Sequence, residues 1–447
     1  MSELHPWRPI LLCVSILLWI SVTSTASPSD VVSWIQENAI TLSTTDASGD
    51  LSDLECLRDL IGDARIVGLG EQTHGTSEFV TMKHRIIRFL VEEMGFTAIA
   101  VEGPWGGGLL ADRYVSGQKG TLNDAILGLS SWFLQCSEFV EIISWMHNHN
   151  RHAEDSVHLV GIDNKTPHQA LEWLRKTLPY NGTPYSSSFI RDIESRLPMK
   201  APKLASDDPA IQGEYFSFLR GLVSEMLSMR AELEVMLNPL EFAIVERIPR
   251  AVDQVQEYTM IPDTPLNSIG FWAPAVFNYR DACMAENTTW WLEQLGDGAK
   301  IIVYAHNGHI AESLSETDSI TMGQVLSETY GDDYVSIGFS ACEGTLMTFN
   351  PEIEQLGSLR LPSPIADSYE SVFCDVGIPD FLLDLRTLSA GSLVADWMTT
   401  TRPFKFIGSK PDVVHGEITS ANVLNASLPR LYDVLIHITK THAMKRD

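Results

Sequence analysis

The chain has 447 residues, and its 58 aspartates and glutamates against 31 lysines and arginines give a formal net charge of −27. A charge of that sign repels phosphate backbones and anionic lipid, so nucleic-acid binding and docking through a basic face are excluded. Hydrophobic residues make up 44% of the chain, which excludes wholesale disorder and suits a large α/β core carrying an insertion.

Residues 10–23, ILLCVSILLWISVT, form an apolar run between Arg8 and the small polar stretch STASPSD. The run is shorter than the roughly 20 residues a spanning helix needs. Ser24 and Ala26 stand where a small-x-small cleavage site would be. Together these predict a signal peptide over 1–26 and an exported chain, secreted or periplasmic. No later stretch is apolar and long enough to cross a bilayer, so no stable membrane span is expected after cleavage.

Strands are predicted at 65–70, 96–103, 156–163, 299–306 and 333–340, with a last one at 432–439 closing an edge. Their apolar runs are continuous rather than alternating, as in a parallel sheet buried on both faces. Between the first two, Phe79, Met82, Ile86 and Leu90 step by three and four, which predicts a helix from Thr76 to Met94 stopped by Gly95. Strand, helix and strand make a βαβ unit, so the fold class is α/β with a mostly parallel central sheet flanked by helices. Residues 167–280 carry helical periodicity without strand signals, and the proline-rich stretches LPMKAPK and IPDTPLN flank or interrupt them. The expected organisation is a first α/β part at 27–166, a helical-bundle insertion at 167–280 and a second α/β part at 281–447.

Beyond Cys13 there are five cysteines, Cys56, Cys136, Cys283, Cys342 and Cys374, with no CxxC pair. They allow at most two disulfides, too few to be the framework of a chain this long. Glycosylation sequons stand at Asn164, Asn181, Asn287 and Asn425.

The chemistry gathers at strand ends. After 65–70 come Glu71 and His74; 96–103 ends with Glu102, 156–163 with Asp163, and 299–306 with His306, followed by His309. In open α/β sheets ligands bind beyond the carboxyl ends of the strands. Imidazoles and carboxylates delivered to one edge are the material of general acid–base catalysis. Other motifs fail on their residues. GLGEQTHG has Thr73 where a dinucleotide loop needs its third glycine, and GPWGGG lacks the Lys-Ser/Thr of a phosphate loop and reads as a flexible turn. GFSAC misses the nucleophile elbow by its last residue, Cys342. No metal ligand set and no cofactor is expected, and a zinc site has only the His306–His309 spacing behind it.

The segment GLGEQTHGTSEFVTMKHRIIRFLVEEMGFTAIAVEG resembles the opening signature of the erythromycin esterase family. RDACMAENTTWWL and IIVYAHNGHIA resemble its internal helix and its HNxH segment. The resemblance runs from about Asp63 to Gly344. It implies an α/β domain with a helical-bundle insertion, and hydrolysis of the macrocyclic ester of macrolide antibiotics by an activated water. It also implies an active-site set of Glu71, His74, Glu102, His306 and His309. Within that set, His74 or His306 takes the proton from water, and the expectation leans to His306. Glu71 and Glu102 orient the imidazole or the water. Lys83 stands where resistance enzymes of the family can carry Arg. Lys83 and Arg85 are therefore the substrate-binding candidates, Arg85 either contacting the substrate or ion-pairing on its own helix. His84, Asp163, Arg280 and Glu286 are second-tier candidates that read more readily as structural. The expected partner is a small-molecule lactone or ester. The alternatives are a metal-dependent hydrolase or peptidase using the same His/Glu cluster, and a non-catalytic ligand-binding relative.

Overall fold

The computed structural model describes residues 26–118, 120–153, 155–178, 187–197, 208–261, 274–314, 318–409, 411–420 and 422–446. The expected signal peptide, the Asn181 sequon and most of both proline-rich stretches lie outside the described residues.

Among the described residues nine strands form the central sheet: β1 (Ile40–Thr41), β2 (Ile66–Leu69), β3 (Ala98–Pro104), β4 (His158–Asp163), β5 (Ile301–Tyr304), β6 (Tyr334–Asn350), β7 (Gln355–Arg360), β8 (Asp380–Asp384) and β9 (Val434–Thr441). The order across the sheet is β1-β8-β9-β6-β2-β5-β3-β4, with β7 paired to the far half of β6. From β9 to β4 every neighbouring pair is parallel; β8 joins β9, β1 joins β8 and β7 joins β6 antiparallel.

The continuous apolar runs explain the parallel part. Alternate residues of one strand enter cores on opposite faces: Ile66, Ala98, Ala100, Ile301 and Val303 go to one, and Val67, Leu69, Ile99, Val101, Ile302 and Tyr304 to the other. The helix Ser77–Met94 lies against the second core with Phe79, Met82, Ile86 and Leu90 fully buried, and Gly95 ends it in the left-handed conformation at φ 72°. Between β4 and β5 the described residues form helices joined by turns, including Pro209–Ser228, Pro239–Thr259 and Pro274–Gln294, with no strand among them.

Two expectations are corrected. The strand at 432–439 is not an edge: β9 sits between β6 and β8, and its first residues Val434, Leu435 and Ile436 are fully buried. The edge position falls instead to the two-residue β1, too short to carry a sequence signal. GPWGGG is not a flexible turn. Trp105–Val115 is a helix whose glycines let it lie on neighbouring backbone: a Cβ on Gly108 would come within 1.9 Å of Gly161 N, and one on Gly107 within 2.1 Å of Gly128 O.

Among the described residues one disulfide, Cys342–Cys374, ties β6 to the helix Tyr369–Cys374, while Cys56, Cys136 and Cys283 are free. The sequon asparagines Asn164 and Asn287 are buried and bonded to the main-chain oxygens of Gln254 and Ile162; Asn425 is exposed. No helix among the described residues is long and apolar enough to cross a membrane.

Candidate active site

Register brings the strand ends together. Leu69 of β2 and Val101 of β3 both pair with Tyr304 of β5, and Val101 pairs with Gly161 of β4. The residues just beyond, Glu71, Glu102, Asp163 and His306, therefore share one edge of the sheet, and all are at most 3% exposed.

The turn after β2 forms a buried relay. His74 Nδ1–H donates to Glu71 Oε1 at 2.7 Å, and Lys83 Nζ donates to Glu71 Oε2 at 2.6 Å. Burial opposes the Glu71 charge, but Lys83 and His74 outweigh it and hold the carboxyl below its ordinary range. Lys83 reaches this turn from one turn and a half into its helix, with Nζ 3.5 Å above the Tyr304 ring. The His74 ring lies flat on Phe133, centroids 4.0 Å apart, with Trp132 edge-on at 6.5 Å. Among the described residues its ring hydrogen-bonds only through Nδ1, and Nε2 makes no hydrogen bond.

Glu102 links this relay to a second cluster. Its Oε2 accepts the His306 backbone N–H at 3.0 Å, and its Oε1 accepts Arg280 Nη2 at 2.7 Å and faces His309 Nε2 at 3.3 Å. Burial would raise its pKa, yet His309, His74 and Arg280 hold it well below the carboxylate range. Arg280 also grips Asp163 with Nε at 3.0 Å and Nη2 at 2.8 Å, and Lys165 meets the same carboxylate at 2.5 Å. The remaining guanidinium edge, Nη1, turns to His309 Nε2 at 2.9 Å.

His309 stacks on Phe277, and its Nδ1–H donates to Asp281 Oδ1 at 2.7 Å. Arg280 Nη1 can donate to Nε2 only while the ring is neutral, whereas Glu102 favours a proton there. Burial depresses the pKa, but Asp281 and Glu102 outweigh it and raise the imidazole to about 9. Three carboxylates surrounding Arg280 and His309 decide for the cation.

His306 does not fit the part of base. Its Nδ1 accepts Gly308 N–H at 3.1 Å as the N-cap of the short helix Asn307–Ile310. Its Nε2–H points at the carbonyls of Gln72 and Ile407, both at 3.2 Å. Both nitrogens are spent, and burial with the neighbouring His74 pushes the pKa down to about 3. This geometry weighs against the lean toward His306, whose two nitrogens are both engaged, whereas His74 Nε2 makes no hydrogen bond among the described residues.

Two further placements differ from expectation. Lys83 is fully buried on Glu71 and has no free face for substrate. Arg85 ion-pairs Asp53 at 2.6 Å and donates to the carbonyls of Thr44 and Asp50, which anchors the segment before β2 rather than a ligand. Of the residues read as structural, Asp163 and Arg280 stand in the site. Glu286 sits in a network with Arg247, Arg250 and Gln254, and His84 lies buried beside Trp145. Asp281, Trp132, Phe133 and Phe277 also stand in the site and are not among the sequence candidates. Asp281 follows Arg280 within the RDACMAEN segment, a signal that was present; the aromatics carry none. Among the described residues no group of three His, Cys, Asp or Glu side chains is disposed to hold a metal ion.

A family model described as erythromycin esterase matches residues 91–441, which include Glu102, Arg280, His306 and His309 but begin beyond Glu71 and His74. The erythromycin esterase type II of Escherichia coli is 24% identical over 387 residues, covering 79% of this chain and 88% of that protein. A solved structure of a Bacillus cereus protein superposes with a TM-score of 0.74 at 26% identity, covering 94% of this chain and all of that one. An erythromycin esterase mutant, EreC, in its open conformation superposes with a TM-score of 0.61 at 21% identity, covering 90% and 97%, a likeness of fold.

Proposed function

The chain belongs to the erythromycin esterase family, and from that premise we propose that it hydrolyses the lactone of a macrolide-like substrate with water activated by His74. Membership supports a hydrolase of this family; the substrate, the mechanism and export are our reading. The observation that carries it is the His74 imidazole: Nδ1 is held by Glu71 at 2.7 Å, and Nε2 makes no hydrogen bond among the described residues.

In this mechanism His74 Nε2 takes a proton as water oxygen attacks the lactone carbonyl carbon. The imidazolium is stabilised by Glu71, whose own charge is compensated by Lys83. The oxyanion that develops is stabilised by the positive charge of the Arg280 guanidinium, which Glu102 and Asp163 fix before substrate arrives. Collapse breaks the acyl carbon–oxygen bond, and His74 returns its proton to the alkoxide. The product is the ring-opened hydroxy acid. Phe133, Trp132 and Phe277 supply apolar walls of the kind such a substrate packs against.

Export is supported by the apolar run at 10–23 and by the Cys342–Cys374 disulfide, since disulfides persist in oxidising compartments. The test of the function is mass spectrometry of a macrolide panel after incubation with the protein. Gain of one water by a member of the panel is expected, and no gain with any lactone would overturn the substrate assignment.

A further inference from the structure

Outside the relay and the Arg280–His309 cluster lies a third buried polar cluster, which the mechanism does not use. Glu370, on the helix Tyr369–Cys374, is fully buried. Its Oε1 accepts Gln72 Nε2–H at 2.8 Å and the Lys405 backbone N–H at 2.7 Å. Gln72 stands between Glu71 and the turn's His74, and every polar group of its amide is engaged across the fold. Its Oε1 accepts the backbone N–H of Ala341 at 3.0 Å. Its main-chain oxygen accepts Ile407 N–H at 3.1 Å and faces His306 Nε2 at 3.2 Å. The clamp is itself anchored: Lys405 Nζ donates to the carbonyls of Ala341 and Cys342 at 3.2 and 3.0 Å, and Cys342 is disulfide-bonded to Cys374, four residues along the helix from Glu370.

We propose that Glu370 is a positioning residue for the hydrolytic site: through Gln72 it fixes the turn that sets Glu71 against His74. A glutamine amide can be satisfied by water in a loose turn. Here it is spent on two elements from the far end of the chain, β6 and the 369–374 helix. The turn bearing the relay is thus registered to the sheet by side chains as well as by its own backbone. Losing the acceptor on Glu370 frees the Gln72 amide and lets the turn shift, and a displacement of about an ångström at a catalytic group costs up to roughly 100-fold in rate.

This inference rests on His74 as base, so its test includes a readout that needs no substrate. In proton NMR of the whole chain, the His74 Nδ1–H on Glu71 gives a downfield signal, assigned by its absence in His74→Ala. Glu370→Leu and Gln72→Asn should each weaken or abolish that signal while circular dichroism stays that of the parent. Glu370→Gln, which keeps an acceptor oxygen, should retain it, and the Gln72→Asn/Glu370→Leu double variant should lose no more than the worse single. With a turned-over macrolide, the same two single variants should lower kcat about 10- to 100-fold and change KM less than about threefold. An unchanged signal in folded Glu370→Leu or Gln72→Asn overturns the proposal, as does additive loss in the double variant. Should Glu370→Leu fail to fold, Gln72→Asn and Glu370→Gln decide it alone. A wild-type chain inert toward every lactone would overturn the proposed substrate and leave the NMR result to judge the clamp.

Discussion

His74 Nδ1 and Glu71 Oε1 lie 2.7 Å apart in a site where Glu71 is 1% exposed, so the imidazole has one tautomer and one orientation. In the proposed mechanism the proton stays on Nδ1 and the lone pair on Nε2, the atom proposed to meet water. Replacing Glu71 by Gln keeps the shape but removes the charge that stabilises the imidazolium, and turns an amide toward Lys83. The kcat of Glu71→Gln should fall about 100-fold or more. A fall of less than about threefold, measured in steady state, would contradict the relay.

Lys83 makes a separate claim on stability. It is buried with its charge spent on Glu71 at 2.6 Å. Lys83→Met leaves a buried carboxylate with the His74 bond alone, and removing one member of a buried pair costs about 3–5 kcal/mol. Urea unfolding should show a loss of that order. A variant as stable as the parent would mean that Lys83 is not the counter-charge.

His309 sets a pH dependence. Its ordinary pKa of 6.5 is raised to about 9 in the fold, so the native state keeps a proton that the unfolded chain releases. Its contribution is fully present below pH 6.5 and is lost as pH rises through 9, a change of about 3 kcal/mol. His306 has the opposite sign. Its pKa is pushed down to about 3, so the fold loses stability as pH falls below 6.5. The stability difference between the parent and His309→Gln should shrink as pH is taken from 6 to 10, measured by chemical unfolding. A constant difference would contradict the charged ring.

The disulfide closes a separation of 32 residues between β6 and the helix that carries Glu370. Reduction, or the Cys342→Ser/Cys374→Ser pair, should lower stability by about 2–4 kcal/mol. Reductant should then change the parent but leave the double variant unmoved. A parent indifferent to reductant would contradict the pairing.

The sheet was legible where both faces are buried, because β2 to β5 are unbroken apolar runs and the polar residues at their ends stand out. It was not legible where pairing is set by distant contacts. β9 reads like an edge strand until β8, a short segment with charged ends, covers it. The site residues were readable as a set, since Glu71, His74, Glu102, His306 and His309 do meet. Their roles were not. Whether a histidine is a base or a brace depends on what its two nitrogens touch, and for His306 these are Gly308 N–H and the carbonyls of Gln72 and Ile407. Arg85 and Lys83 lie two apart on one helix, and the sequence offers no sign that one faces Glu71 and the other Asp53. Arg280 was undervalued because an arginine on a helix usually faces solvent; here three carboxylates gather at it and its neighbour His309.

The central claim is that His74, not His306, is the base. The most direct measurement is kcat for hydrolysis of a macrolide lactone by His74→Ala and by His306→Asn, each followed as gain of one water in the product. The account predicts that His74→Ala loses about 1,000-fold or more. His306→Asn, which keeps a capping side chain, should lose far less, with a lowered Tm. Comparable turnover by His74→Ala and the parent, or collapse of turnover in a fully stable His306→Asn, would contradict it.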